Sequence, residues 1–150
     1  MSEFYLTSAY FEDVEKMPKK FGYKHVNEEP EKIYENVPND AICLALIMDD
    51  PDAMGAVGKV WVHHLSYINI NRSEEDWGIT PENKIEGKTD FGEIGYGGPA
   101  PPDKRHTYVF KAYALDTVLD LKEGYSKQEL EDAMEGHIIA EAKLTGTFAP

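Results

Sequence analysis

The sequence predicts a mainly β fold with one amphipathic helix in the C-terminal half. Three observations carry this reading. Runs of β-branched and aromatic residues are separated by turn residues, a helical 3.6-residue period appears only near the C-terminus, and a long glycine- and proline-rich stretch lies between two strand-like runs.

Ala41 to Met48 is apolar at every position, as a strand covered on both faces should be, and it runs into the acids Asp49, Asp50 and Asp52. The acids therefore sit at a strand end. Val60 to Ile70 reads as a second strand. Strict alternation places Val60, Val62, His64, Ser66 and Ile68 on one face and Trp61, His63, Leu65 and Tyr67 on the other, so the two histidines are expected to point oppositely. His106 to Leu115 is a third strand, with His106, Tyr108 and Phe110 on a common face. Gly78 to Arg105, between the second and third strands, holds six of the twelve glycines and four of the nine prolines, which excludes long regular structure. Its aromatics Phe91 and Tyr96 argue for an ordered loop packed on the body. Ser126 with Glu129 forms a capping-box pattern, and Leu130, Ala133, Met134, His137 and Ile138 then follow helical spacing to about Lys143. Gly136 inside that span costs ~1 kcal/mol relative to alanine. A short final strand is expected at Leu144 to Phe148.

At 150 residues the chain fits a single domain spanning 1–150. With 28 Asp and Glu against 15 Lys and Arg, a net charge of −13 repels phosphate backbones and anionic membrane surfaces. Nucleic acid and stable membrane association are excluded on this ground, and no stretch is long and apolar enough for a signal or a membrane span, so a cytoplasmic protein is expected. The single cysteine, Cys43, sits among apolar residues and reads as a buried thiol. His25 reads as solvated and His137 as packed on the helix. The acids of Glu123 to Glu141 read as a solvated helix face.

Three polar elements could meet at one sheet edge: Asp50-Pro51-Asp52-Ala53, His63-His64, and Gly97-Gly98-Pro99-Ala100-Pro101-Pro102 before His106. Imidazoles donate hydrogen bonds, successive N–H groups of Gly95 to Gly98 could form an anion-binding nest, and prolines would stiffen the wall. Asp50 could hold a histidine in one tautomer, and Tyr108 could add a hydroxyl. A carboxylate turn, a core histidine and a rigid loop would each also be ordinary structural features.

In this order and spacing the elements resemble the phosphatidylethanolamine-binding protein family, in its prokaryotic Raf-kinase-inhibitor-like branch. The resemblance is carried by Leu44 to Ala53, Val62-His63-His64 with Ile68-Asn69, Gly95 to Pro102, His106 to Phe110 and Gly136 to Ala140, with a weaker match at Met17 to Lys20, Asn27 and Pro30. It implies an antiparallel Greek-key β-sandwich with few short helices and a small surface pocket for phosphate-like or carboxylate anions, phosphorylethanolamine head groups among them. The implied pocket residues are Asp50, His64, Gly98, Ala100, Pro101, His106 and Tyr108, His64 being matched by its five-residue spacing to Asn69. Asp52, Trp61, Tyr96, Pro99 and Pro102 are implied as supports, and His63 is then expected to face elsewhere. Met54 where relatives have proline, and the divergent stretch Glu28 to Tyr34, depart from the pattern at the pocket rim.

The expected function is non-enzymatic binding of a small anionic ligand without cofactor, as a monomer or homodimer, with inhibition of a protein kinase or protease implied by relatives. An enzyme using His64 and His106 as acid and base on a phosphoester, and a metal site on Asp50, Asp52, His64 and His106, are the alternatives. Against the enzyme, no activated nucleophile is evident.

Overall fold

The computed structural model describes residues 3–70 and 84–150; positions 78–83 of the predicted loop lie outside the described residues. The strands are β1 (Tyr5–Thr7), β2 (Glu15–Lys16), β3 (Ile33–Glu35), β4 (Cys43–Asp50), β5 (Trp61–Asn69), β6 (Ile85–Glu86), β7 (His106–Leu115) and β8 (Ile138–Phe148), with helices α1 (Ala53–Val57) and α2 (Lys127–Met134). Six strands form one sheet in the order β2-β8-β7-β4-β5-β6, and β1 pairs with β3 in a two-stranded sheet. Every pairing is antiparallel except the short β2–β8 contact.

β4 lies in the middle of the large sheet, and all eight of its residues are buried. Its unbroken apolar run reflects cover on both faces. Leu44, Leu46 and Met48 face a core shared with Phe4, Leu6, Phe21, Tyr108 and Phe110, while Cys43, Ala45 and Ile47 face Val62, Leu65, Tyr67, Leu130 and Met134. Burial of each large apolar side chain contributes about 1.5–3 kcal/mol, so these two layers fix β4 as the reference for the rest of the sheet.

β7 spans the predicted residues, with His106, Tyr108 and Phe110 buried on one face. In β5 the expected alternation fails. Met48 pairs with His64 but Asp49 pairs with Val62, so His63 is an extra residue in a β-bulge. Val62 and Leu65 both belong to the second core, three positions apart, and the rings of His63 and His64 meet Tyr108 and Tyr96 on the other side. The two histidines therefore share a face.

α2 begins as predicted. Ser126 Oγ accepts from the Glu129 N–H at 3.1 Å, and the Glu129 carboxylate accepts from the Ser126 N–H at 3.0 Å. It ends at Met134 rather than near Lys143, because Gly136 takes φ +82° and the β-branched pair Ile138-Ile139 starts an eleven-residue strand. The expected short strand at Leu144 is thus the end of a long one. His137 leaves the helix and is paired with Asp116 at 2.9 Å. His25 is exposed and Cys43 buried.

Ser126→Ala removes one half of the reciprocal cap and is expected to lower unfolding free energy by about 1 kcal/mol. Urea denaturation measures this, and an unchanged midpoint would contradict the assigned cap.

Candidate functional site

Asp50 closes β4, and the sheet register sets it across from Trp61 and beside the face that carries Tyr108 and His106. His106 Nδ1 lies 2.6 Å from Asp50 Oδ2, and its Nε2 lies 2.7 Å from Asp103 Oδ1. A ring with a carboxylate on each nitrogen is best served as imidazolium, which donates from both. Burial works to lower the His106 pKa, but the hydrogen bonds and charges of Asp50 and Asp103 prevail and raise it above 6.5. Asp50 therefore orients a histidine.

A cavity of about 130 Å³ opens on this pair. Trp61, Phe91, Ala100 and Pro102 form its walls with Ala53, Ala56 and Val57 of the Asp50 turn and α1, and His63 and Tyr108 complete the lining. Three buried polar atoms on lining residues make no hydrogen bond of full geometry, Asp50 Oδ1, Trp61 Nε1 and the Tyr108 hydroxyl, the hydroxyl lying within reach of the Asp50 carboxylate and the Ala100 backbone. Such atoms are uncommon in folded proteins; two others, Asp49 Oδ1 and His64 Nδ1, belong to residues outside the cavity lining. Burial, then the nearby Asp50 charge, raises the Tyr108 pKa, so its hydroxyl stays protonated as a donor. Asp52 accepts from the Thr107 N–H at 2.8 Å and ties the turn to β7.

His63, not His64, lies at this cavity. Its Nδ1 donates to the Gly97 carbonyl at 2.7 Å while the Gly97 N–H donates to the His63 carbonyl at 2.8 Å, a reciprocal grip between the bulge and the loop. Burial lowers its pKa despite the Gly97 bond and holds the ring neutral. The sequence trace of this arrangement is the three-residue step from Val62 to Leu65 within an otherwise alternating apolar face; the five-residue spacing to Asn69 counts from beyond the bulge and selects the wrong ring.

His64 is fully buried in a separate ionic cluster. Its Nε2 lies 2.6 Å from Glu86 and 3.9 Å from Glu29, and Glu29 also holds Lys84 at 2.6 Å and Lys32 at 3.1 Å. Burial lowers the His64 pKa, and although burial pushes Glu29 upward, Lys32, His64 and Lys84 bring it down to about 2. Glu29, His64 and Glu86 have metal-ligand atom types within 4.8 Å of one another. Two lysines already balance the two carboxylates there, so a divalent ion would have to displace them. The expected metal set Asp50, Asp52, His64 and His106 is not assembled, since His64 faces this cluster and Asp52 braces Thr107.

The glycine nest does not form either. The N–H groups of Gly95, Gly97 and Gly98 are spent on the Gly87 carbonyl, the His63 carbonyl and Asn27 Oδ1. Gly98 is demanded by close approach: a Cβ there would stand 1.9 Å from the Phe21 carbonyl oxygen. Of the other expected positions, Ala100 and Pro102 line the cavity, whereas Pro101 faces a different depression with His25 and Phe148. Pro99 accepts from the Tyr23 N–H, and Tyr96 donates to the Phe21 carbonyl, so both anchor the loop to the N-terminal segment. Phe91, stacked on Tyr23 with centroids 3.9 Å apart, is a wall that alternation and motif spacing do not reveal.

The family model for phosphatidylethanolamine-binding proteins matches residues 7–149. The chain belongs to the phosphatidylethanolamine-binding protein family. A UPF0098 protein of the archaeon Methanothermobacter thermautotrophicus is 40% identical over 149 residues, 95% of this chain and 97% of its own length. A UPF0098 protein of Chlamydia muridarum is 41% identical over the same extent. Among solved structures, a phosphatidylethanolamine-binding protein homologue from Chlamydia trachomatis superposes with a TM-score of 0.85 at 37% identity, covering 99% of this chain and 98% of that one. Escherichia coli YbcL, described as a member of the mammalian family, gives 0.81 at 26% identity with 98% of each chain covered. The antiparallel β-sandwich expected from the motifs is the fold of the family.

An NMR pH titration should place the His106 imidazole above the ordinary value of 6.5 and those of His63 and His64 below it. The raised His106 value means that its charged pair stabilises the fold fully below pH 6.5 and less as pH rises through the folded pKa; the two lowered values make stability fall as pH drops below 6.5. Asp50→Asn should move the His106 midpoint downward, and a midpoint unchanged by that substitution would contradict the assigned pair.

Proposed function

We propose that this protein binds, without turnover, a small ligand bearing a phosphate-like or carboxylate group in the Asp50–His106 cavity. The observation that supports the reading is the set of three buried atoms without a well-formed hydrogen bond, Asp50 Oδ1, Trp61 Nε1 and the Tyr108 hydroxyl, on residues lining one small cavity beside the His106 imidazolium. Anion oxygens would accept from the Trp61 and Tyr108 donors. Asp50 Oδ1 is an acceptor only, so a fitting ligand also brings a hydrogen: the ammonium of phosphorylethanolamine, or the hydroxyl of a protonated phosphate or carboxylic acid. A ligand whose cationic end offsets its anionic one also suits a chain of net charge −13, which repels dianions at long range.

Binding rather than reaction is supported by the lining. Tyr108 is its one hydroxyl and stays protonated, while Cys43 lies in the second core with its thiol pushed up to about 12 by burial. Regulation of a protein kinase or protease would then act through a phosphoryl or carboxylate group that the partner presents to this cavity.

Isothermal titration calorimetry with phosphorylethanolamine and with sulfate tests the reading. Saturable binding of phosphorylethanolamine is expected, with sulfate weaker by about 10- to 100-fold because it offers no hydrogen to Asp50, and with Tyr108→Phe weaker by about 5- to 10-fold. No saturable binding at millimolar ligand, or steady release of inorganic phosphate, would overturn it.

A further inference from the structure

β8 is paired with β7 along its inner side, but its outer side is only partly covered. The Thr145 N–H donates outward to Asp13, its carbonyl accepts from the Val14 N–H, and β2 continues beside Gly146 and Thr147. Because backbone groups alternate along a strand, the N–H and C=O of Lys143 and Glu141 also point outward, and among the described residues nothing is hydrogen-bonded to them. The bulge opposite Leu115 and Ala114 ends this regular stretch at Ile139. The open edge is therefore Ala140 to Leu144.

We infer that this open edge pairs antiparallel with the same edge of a second copy, through a two-fold axis at Ala142. That register makes Glu141 of each copy face Lys143 of the other. Both residues present outward backbone groups, so the two pairs exchange four N–H···O=C bonds, and each also sets a carboxylate across from an ammonium. Moving the register by two residues either way sets Glu141 against Glu141 or Lys143 against Lys143, which like-charge repulsion disfavours. One-residue shifts mismatch the outward donors and acceptors. At the axis, Ala142 meets Ala142, and the small side chain allows the close approach of a pair without hydrogen bonds.

Charge inside the protomer supports this occupant. Lys143 sits across β7 from another lysine, Lys111, whose ammonium is committed to Asp49 at 3.0 Å, and neither Lys143 nor Glu141 has an ion-pair partner among the described residues. A second copy supplies both. The segment Asp13–Val14 beside Thr145 limits the pairing to five residues and would bring the exposed Ile139 against the exposed Val14 of the second copy. The edge residues pair with Phe110 to Ala114 of β7, toward the end of that strand away from His106 at the cavity.

Sedimentation equilibrium at about 0.15 M salt, with concentrations up to the millimolar range, tests the inference. Concentration-dependent dimerisation is expected. Glu141→Lys and Lys143→Glu should each weaken it at least about ten-fold by creating like-charge pairs, and the combined exchange of both residues should restore it to near the original strength. Circular dichroism melting of each variant checks that the fold is kept, as exposed positions allow. A monomer at every concentration would overturn the inference, as would a dimer that both single variants leave intact or a folded double variant that fails to recover association.

Discussion

The central strand β4 is buried along its whole length and ends in charge, and most of the molecule is arranged to compensate that charge. Asp49 is 1% exposed and is held by Lys111 and Lys127 at 3.0 and 3.1 Å, from β7 and the start of α2. Asp50 is held by His106, and Asp52 by the Thr107 backbone. A buried carboxylate without such partners would cost several kcal/mol, so the position of β7 and the start of α2 are bound to Asp49 and Asp50, while the exposed Asp52 ties the turn after β4 to β7. The cavity borders the same end of β4: Asp50, held through Oδ2 by His106, is part of its lining.

Two histidines adjacent in sequence serve two separate environments because a single extra residue in β5 turns both to the same side. His63 locks the bulge to the Gly97 loop and closes one side of the cavity. His64 anchors the Glu29-to-Lys32 segment through Glu29 and Glu86. The stretch Glu28 to Tyr34, divergent as a motif, thereby gains a physical role: it brings the acid and the lysine that neutralise each other around a buried imidazole, and its placement does not touch the cavity rim.

The strands β4 and β7, the start of α2 and the Asp50–His106 pair were legible because each rests on local chemistry: an unbroken apolar run, strict alternation, a capping box, and a carboxylate and an imidazole at corresponding strand ends. What escaped depends on long-range geometry. The bulge arises from matching β5 to β4 and leaves only the Val62-to-Leu65 step as a trace. The glycine loop looked like an anion nest, yet Asn27 and the Gly87 and His63 carbonyls, distant in sequence, take its N–H groups. A helix running to about Lys143 suits the sequence because Ile138, His137 and Met134 fit a helical face as well as a strand end, and Gly136 at positive φ decides between them.

The assignment of one histidine rather than the other to the ligand cavity is the central structural claim. The most direct measurement is a titration of phosphorylethanolamine followed by the imidazole resonances of all five histidines. The account predicts that His63 and His106 shift together along one saturation curve while His64, enclosed by Glu29 and Glu86, stays in place. A saturable shift of His64 with His63 unmoved would contradict it.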